Sequence, residues 1–205
     1  SIKTAAESIV DLDLGVNGPV VRVTPDTTVG LDKLTRTGTG ADSVIETRLN
    51  VENGSIIGSV NKLAKASKYE IKTPNGVAGI RGTDYVIKVK KLSDGSYEVT
   101  FTDVTGTLVV VARVNGNPET VVLNAGESWT PGSSVIPTPQ QLLEFYREQV
   151  RAAIAAIGGG GGGNQPAVVT SPVPVIEPYV SPVIGAKGGA TAPDEFPFPD
   201  EELRN

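Results

Sequence analysis

Acidic side chains are the first candidates for chemistry, because the sequence contains no cysteine, histidine or methionine. These absences exclude thiol nucleophiles, Ser-His-Asp triads, iron–sulfur clusters, and imidazole or thiolate metal sites. In the β-rich region, the carboxylates that suggest a metal or acid–base role are Asp11, Asp13 and Asp84. Their spacing does not match an EF-hand loop, and no carboxylate pair can be located for glycoside hydrolysis. We interpret them as solvated and expect no enzyme activity, no metal and no other cofactor.

Neither the other polar residues nor the charge indicate a standard ligand. Serine and threonine are abundant, but no convincing Ser-x-x-Lys motif supplies a base. The glycines at 158–163 are not followed by the Gly-Lys-Ser/Thr of a phosphate loop. The formal net charge is −5, with 14 basic against 15 acidic residues in 1–136 and 4 against 8 in 137–205. A nucleic-acid binder needs a basic excess, so we expect no nucleic-acid partner.

Short runs of valine, isoleucine and threonine alternate with glycine, asparagine and aspartate up to about residue 136, which is typical of strands and turns. Asn53-Gly54 and Asp94-Gly95 are predicted as tight hairpin turns. Residues 107–111 are almost all apolar, as in a strand covered on both faces. We predict strands over 9–14, 20–23, 28–31, 43–50, 55–60, 69–73, 77–81, 84–90, 96–102, 106–114, 119–123 and 127–130.

One amphipathic helix is predicted over residues 139–157. Its apolar stripe recurs at helical spacing. The stripe comprises Leu142, Leu143, Tyr146, Val150, Ala153, Ile154 and Ile157. It either packs across the β domain or docks on another subunit; for the second alternative Leu142, Tyr146 and Ile154 are the candidate contacts.

A proline-rich tail follows the helix. Residues 158–164 are predicted as a glycine hinge and 165–205 as an extended tail, because proline disfavours both helix and sheet interior. Unlike most disordered linkers, this tail is rich in apolar residues. The candidate subunit contacts in it are Val168, Val169, Val173, Val175, Ile176, Tyr179, Val180, Val183 and Ile184.

The segment 67–87, SKYEIKTPNGVAGIRGTDYVI, resembles the core signature of FecR-like domains. The residues that carry the resemblance are Thr73, Pro74, Gly76, Gly79, Arg81, Gly82 and Thr83. With weaker flanking matches it covers about residues 9–130. It implies a mainly β fold with a solenoid-like or stacked-sheet arrangement. Family members named for signalling are typically anti-sigma regulators with a membrane helix and a periplasmic FecR domain. From the residue types, Arg81 offers five donors to nearby carbonyls or to a carboxylate such as Asp84.

Four units are therefore expected: a FecR-like β domain (1–136), an amphipathic helix (137–157), a glycine hinge (158–164) and a proline-rich extended tail (165–205). No apolar stretch approaches the ~18–20 residues that span a bilayer. Because the sequence has no methionine even at position 1, we expect that it begins after a cleavage. A removed secretory leader is the expected cause, and artificial trimming of the chain is the alternative.

Two functions remain open from the sequence. The first is a non-enzymatic secreted structural protein that assembles with copies of itself, as an extracellular filament subunit, through strand or tail exchange. The alternative is a periplasmic or surface FecR-like signalling or binding module whose partner is another envelope protein. The expected location is the exterior or cell surface of a bacterium, with the periplasm as the alternative.

Overall fold

The structure, a computed structural model, describes residues 1–15, 18–38 and 43–158. Within these ranges the chain is mainly β, as predicted, with thirteen strands and one helix. The first seven strands are β1 (Ile2–Lys3), β2 (Val10–Leu12), β3 (Val20–Val23), β4 (Thr28–Thr37), β5 (Val44–Ser59), β6 (Lys68–Thr73) and β7 (Gly76–Ile80). The remaining elements are β8 (Asp84–Lys91), β9 (Tyr97–Thr105), β10 (Thr107–Val114), β11 (Asn117–Asn124), β12 (Glu127–Trp129), β13 (Ile136–Pro137) and α1 (Gln140–Gly158).

The strands form one sheet that curls into a half barrel, and β5 belongs to both of its halves. The first half-sheet has the order β1-β4-β5-β6-β7-β10-β11. The second half-sheet has the order β2-β3-β5-β8-β9-β12-β13. Among the described strand pairs, only β5–β6 is parallel.

The passage of β5 from one half-sheet to the other takes place at Gly54, whose φ is +91°. Up to Asn53 the strand pairs with β4, and from Gly54 onward it pairs with β8. The predicted hairpin turn at Asn53-Gly54 is therefore wrong. The positive φ that suggested a turn instead bends a single long strand, as glycine permits.

The concave side of the curl encloses the main core. Phe101 stacks on Trp129 with ring centroids 6.3 Å apart, and both side chains are buried. The predicted strand at 84–90 is confirmed as β8, and its side chains alternate, with Tyr85 and Ile87 facing this core and Lys88 exposed. The apolar run in β10 is also confirmed as buried on consecutive positions, from Leu108 to Val111.

The predicted helix is confirmed with its bounds shifted by one residue, and it lies on the convex face of the second half-sheet. It contacts β2, β3, β5, β8 and β9. The alternative in which the helix packs across its own β domain is thus what the structure shows. No helix in the described part of the chain is long and apolar enough to cross a membrane.

Candidate functional site

The turn between β6 and β7 carries the first part of the FecR-like signature. The Thr73 hydroxyl accepts a hydrogen bond from the Gly76 amide at 3.1 Å and donates one to the Gly76 carbonyl at 2.9 Å. Pro74, which lies between Thr73 and Gly76 in the turn, has its own φ angle fixed by its ring. A Cβ on Gly76 would lie 2.5 Å from the carbonyl oxygen of Val111, so only glycine fits against β10. These residues hold the backbone of a closed turn.

The second part of the signature forms the junction between β7 and β8. The Arg81 guanidinium donates to the carbonyl of Leu63 at 3.3 Å, in a loop that follows β5. Gly82 has a φ of +73°, which favours glycine. The Thr83 hydroxyl donates to the carbonyl of Thr107 at 2.9 Å. Together these contacts join three separate chain segments at one end of the sheet.

Two tyrosines of the core share a hydrogen bond. The hydroxyl oxygens of Tyr69 and Tyr85 lie 3.2 Å apart, and both side chains are buried. Gly58 makes room for them, because a Cβ there would collide with the phenol of Tyr85. Burial raises the pKa of both phenols above the ordinary value, so both are neutral and contribute to packing.

Asp103 is a fully buried carboxyl group near the end of β9. Neither of its carboxyl oxygens has a hydrogen-bond partner among the described residues. Burial, reinforced by the negative charges of Asp84 and Glu127, raises the pKa of Asp103 to about 7. The backbone amides of Thr105 and Leu108 lower the pKa of Asp103, but by less than burial and the two negative charges raise it. Asp103 therefore titrates near neutral pH, in a protein that contains no histidine.

The acidic residues singled out in the sequence do not converge. Asp11 is not simply solvated, because its two oxygens each accept a 2.8 Å hydrogen bond from Arg22, which is almost fully buried. Asp13 accepts a 2.7 Å bond from the Gly15 amide. Asp84 lies at the start of β8, opposite β9. The described part of the chain contains no group of three carboxylates that could hold a metal ion.

The helix is held on the second half-sheet by one polar bond and a small apolar cluster. The Arg22 guanidinium donates to the Gln149 side-chain carbonyl at 2.9 Å. Tyr146 packs against the cluster. The cluster comprises Ile57, Val86, Val104 and Val150. Of the predicted subunit contacts on the helix, Leu142 and Tyr146 are half-buried and Ile154 is exposed.

The tail residues predicted as subunit contacts lie outside the described residues. They are Val168, Val169, Val173, Val175, Ile176, Tyr179, Val180, Val183 and Ile184.

The outer edge of β4 is an open strand edge of the β domain. The outer edge of β4 pairs with β1 only at Thr28 and Val29. Beyond them, this edge has no partner strand in the part of the chain that the structure describes. Leu31 and Leu34, both 41 % exposed, lie along it, and Asp32 falls at an irregularity of the β4–β5 register. The edge thus offers backbone donors and acceptors beside two leucines, a combination that can bind an extended peptide.

The fold of this chain is similar to that of solved structures of low sequence identity. Two crystal structures of a "putative anti-sigma factor" from Parabacteroides distasonis ATCC 8503, at 2.50 Å and 1.65 Å resolution, match it with TM-scores of 0.53 and 0.52 at 11 % identity. Each match covers 71 % of this chain and 63 % of the other chain. This chain therefore corresponds to less than two thirds of the length of those proteins.

The chain belongs to the FecR protein family, whose family profile matches residues 1–105, just over half of the sequence. The predicted family resemblance is thereby confirmed. A comparison with curated proteins finds no match.

Sequence reasoning did not identify three features of this region. The Arg22–Gln149 bond joins residues 127 positions apart, and no local pattern indicates such a pair. The open β4 edge appears only once the pairing of β5 is known. The inward position of Asp103 could have been predicted from the sequence. Asp103 is two residues from Phe101 in the same strand, so both side chains lie on the same face.

Proposed function

We propose that this chain is a non-enzymatic signalling or binding module of the bacterial cell envelope, which acts by contact with another envelope protein. Its FecR family membership supports this role, and so do structural neighbours described as anti-sigma factors. A regulator of this kind needs a stable recognition surface rather than a reactive group. Its location would be the periplasm or the outer cell surface, where an extended segment of a membrane-bound partner can reach it.

The observation that carries the proposal is the open β4 edge. A strand of the partner would add beside Lys33–Thr37, and its side chains would cover Leu34 and, across the irregularity at Asp32, Leu31. Burial of the exposed part of two leucines contributes about 1–2 kcal/mol, and the new backbone hydrogen bonds add register and direction. Binding at this edge leaves the core, the signature turn and the helix unchanged.

Affinity capture from an envelope extract tests this role, with the full-length chain as bait. Leu34→Lys places a charge on the edge, whereas Val135→Lys changes a similarly exposed apolar residue outside β4. We expect one specific envelope protein to be captured by the parent and by Val135→Lys, and to bind at least tenfold less tightly to Leu34→Lys when purified. Equal affinity for both variants would contradict the proposed edge.

Self-assembly is a second candidate function. The first half-sheet has β4 near one end and β11 at the other, so strand exchange between copies would be head-to-tail and would form a filament. The apolar, proline-rich residues 165–205 would supply an exchanged segment. However, Pro118 and Glu119 on β11 are typical of an edge protected against such pairing. Negative-stain microscopy and sedimentation would distinguish the two: filaments would favour assembly, and monomers that capture a different protein would favour the envelope module.

A further inference from the structure

The carboxyl group of Asp103 is buried without the partners that a buried charge requires. The residue is 0 % exposed, and neither carboxyl oxygen has a hydrogen-bond partner in the part of the chain that the structure describes. Among the described residues, the charged side chains that act on it are Asp84 of β8 and Glu127 of β12, and both are negative. Tyr85 lies opposite Asp103 in the β8–β9 register, and burial raises the pKa of its phenol, so it stays neutral. Because an unpaired carboxylate is costly to bury, the closed fold favours protonated Asp103.

The turn between β11 and β12, residues 125–127, lies against the backbone of Asp103, and we call it the Gly126 turn. The Gly126 amide donates to the Asp103 backbone carbonyl at 2.9 Å, and the charge of Glu127 acts on the Asp103 carboxyl. The turn is partly exposed, and β12 pairs with β9 at only two residues. In contrast, β8, which carries the other negative neighbour, pairs with both β5 and β9 along most of its length. The Gly126 turn can therefore move away from Asp103 at a lower cost than β8.

The same turn also holds the start of the helix. The Gly126 carbonyl accepts a 2.7 Å hydrogen bond from the amide of Thr138, two residues before α1. A Cβ on Gly126 would lie 3.5 Å from Cδ1 of Leu143, so the first turn of α1 packs over this glycine. Movement of the Gly126 turn therefore breaks the bond to Thr138 and loosens the start of α1. The stacking of Trp129 on Phe101 keeps the rest of β12 attached to β9.

We propose that ionisation of Asp103 opens the Gly126 turn, so that the domain loosens the start of its helix as pH rises toward neutrality. The proton passes to solvent. In the open turn, water reaches the carboxylate and Glu127 moves away from it. This pH response goes beyond the proposed binding role, because the β4 edge belongs to the other half-sheet, and either one can fail without the other.

Proton linkage gives the direction of the response. The pKa of Asp103 is about 7 in the closed fold, against an ordinary value of 3.8 once water reaches the carboxyl. Below this interval both states bind the proton, and above it neither does. Within it the closed state binds more protons than the open state, so the open fraction rises with pH, by up to about tenfold per pH unit. Opening of one turn costs less than global unfolding, so the open turn is populated first.

Residue-resolved amide hydrogen exchange of the full-length chain at pH 5 and pH 7 tests the proposal. Because the sequence contains no histidine or cysteine, no other side chain normally titrates between these values. The reporters are the Gly126 and Thr138 amides, and the amides of β5 and β10 report global opening. Protection factors correct for the intrinsic pH dependence of exchange. Asp103→Asn keeps the size of the side chain but cannot ionise, and the matched control Asp94→Asn removes an exposed carboxylate in another turn.

We expect the protection of Gly126 and Thr138 to fall at least tenfold from pH 5 to pH 7 in the parent and in Asp94→Asn, but less than twofold in Asp103→Asn. An equal fall in Asp103→Asn, or no fall in the parent, would overturn the proposal. A parallel fall across β5 and β10 would also overturn it, because the protein would then unfold globally.

Glu127→Gln provides a second test that does not depend on the stability of the Asp103 variant. Removal of the Glu127 charge lowers the pKa of Asp103 in the closed fold, because that charge raises it in the parent. The interval over which the open fraction rises then becomes narrower. We expect a smaller fall in protection for Glu127→Gln than for the parent, and an equal or larger fall would contradict the proposed opening.

Discussion

Arg22 and Gln149 are joined by a buried hydrogen bond of 2.9 Å from the guanidinium to the side-chain carbonyl. The same guanidinium makes a bidentate pair with Asp11. One arginine therefore fastens the short edge strand β2 and the helix to the central strands. The Arg22 side chain is almost fully buried. A single substitution of Arg22 would remove its hydrogen bonds to both Asp11 and Gln149.

Replacement of Arg22 should strongly destabilise the fold. Arg22→Met keeps an apolar stem but leaves Asp11 and Gln149 without this partner, so we expect a loss of about 2–4 kcal/mol in the free energy of unfolding. Urea unfolding measures the loss, with Lys88→Met on the exposed face of β8 as the control. A loss for Arg22→Met no greater than for the control would contradict the role of this arginine.

The stability of the protein should fall as pH rises from about 4 to about 7 through the titration of Asp103. The pKa of this carboxyl is about 7 in the folded chain, against an ordinary value of 3.8. In that range the folded state binds more protons than the unfolded state, so each rise in pH lowers the free energy of unfolding. Above pH 7 the folded state contains a buried charge.

Asp103→Asn should remove this pH dependence. We expect the variant to be more stable than the parent by about 1–4 kcal/mol at pH 8, with the difference much reduced at pH 4. Urea unfolding of both proteins at several pH values gives the comparison. An Asp103→Asn variant whose stability stays parallel to that of the parent at every pH would show that Asp103 is ionised normally.

Gly54 should be far less tolerant of substitution than another glycine with a similar φ. Gly54 and Gly95 have φ angles of +91° and +84°, but only a Cβ on Gly54 would collide with Thr27. We expect Gly54→Ala to cost about 3 kcal/mol or more and Gly95→Ala about 1 kcal/mol, because the second change adds only backbone strain. Thermal and urea unfolding measure the stability of both variants. If Gly54→Ala and Gly95→Ala lose similar free energies of unfolding, the bend in β5 can relax to accept the added Cβ.

The buried tyrosine pair should resist ionisation until the chain unfolds. Burial raises the pKa of Tyr69 and Tyr85, so the unfolded state releases protons first and stability declines as pH rises above about 10. Absorbance of the ionised phenol, followed together with circular dichroism, should show that these two residues ionise only in the unfolding step. Complete ionisation of all tyrosines in a chain that stays folded would refute this.

Most of the local structure could be predicted from the sequence. The alternation in β8, the apolar run in β10 and the stripe of the helix each follow from burial on a repeating period, so their patterns suffice. The FecR signature was identified from residues 67–87, where glycines and proline impose a particular backbone.

What could not be predicted depends on contacts between distant segments. Asn53-Gly54 has the composition of a hairpin turn, but pairing with β8 carries the strand through it. The partner of Arg22 and the open edge of β4 likewise depend on which strands are neighbours. Local propensity gives no information on such pairings, since the same residues are compatible with several registers.

The most direct measurement of partner binding is site-specific photo-crosslinking in living cells from the position of Leu34 on the β4 edge, with Val135 as the control position. We expect Leu34 to give an adduct with one envelope protein that differs from this chain, and Val135 to give none. If both positions yield the same adducts, or if Leu34 crosslinks only to further copies of this chain, the β4 edge is not the binding surface of an envelope signalling module.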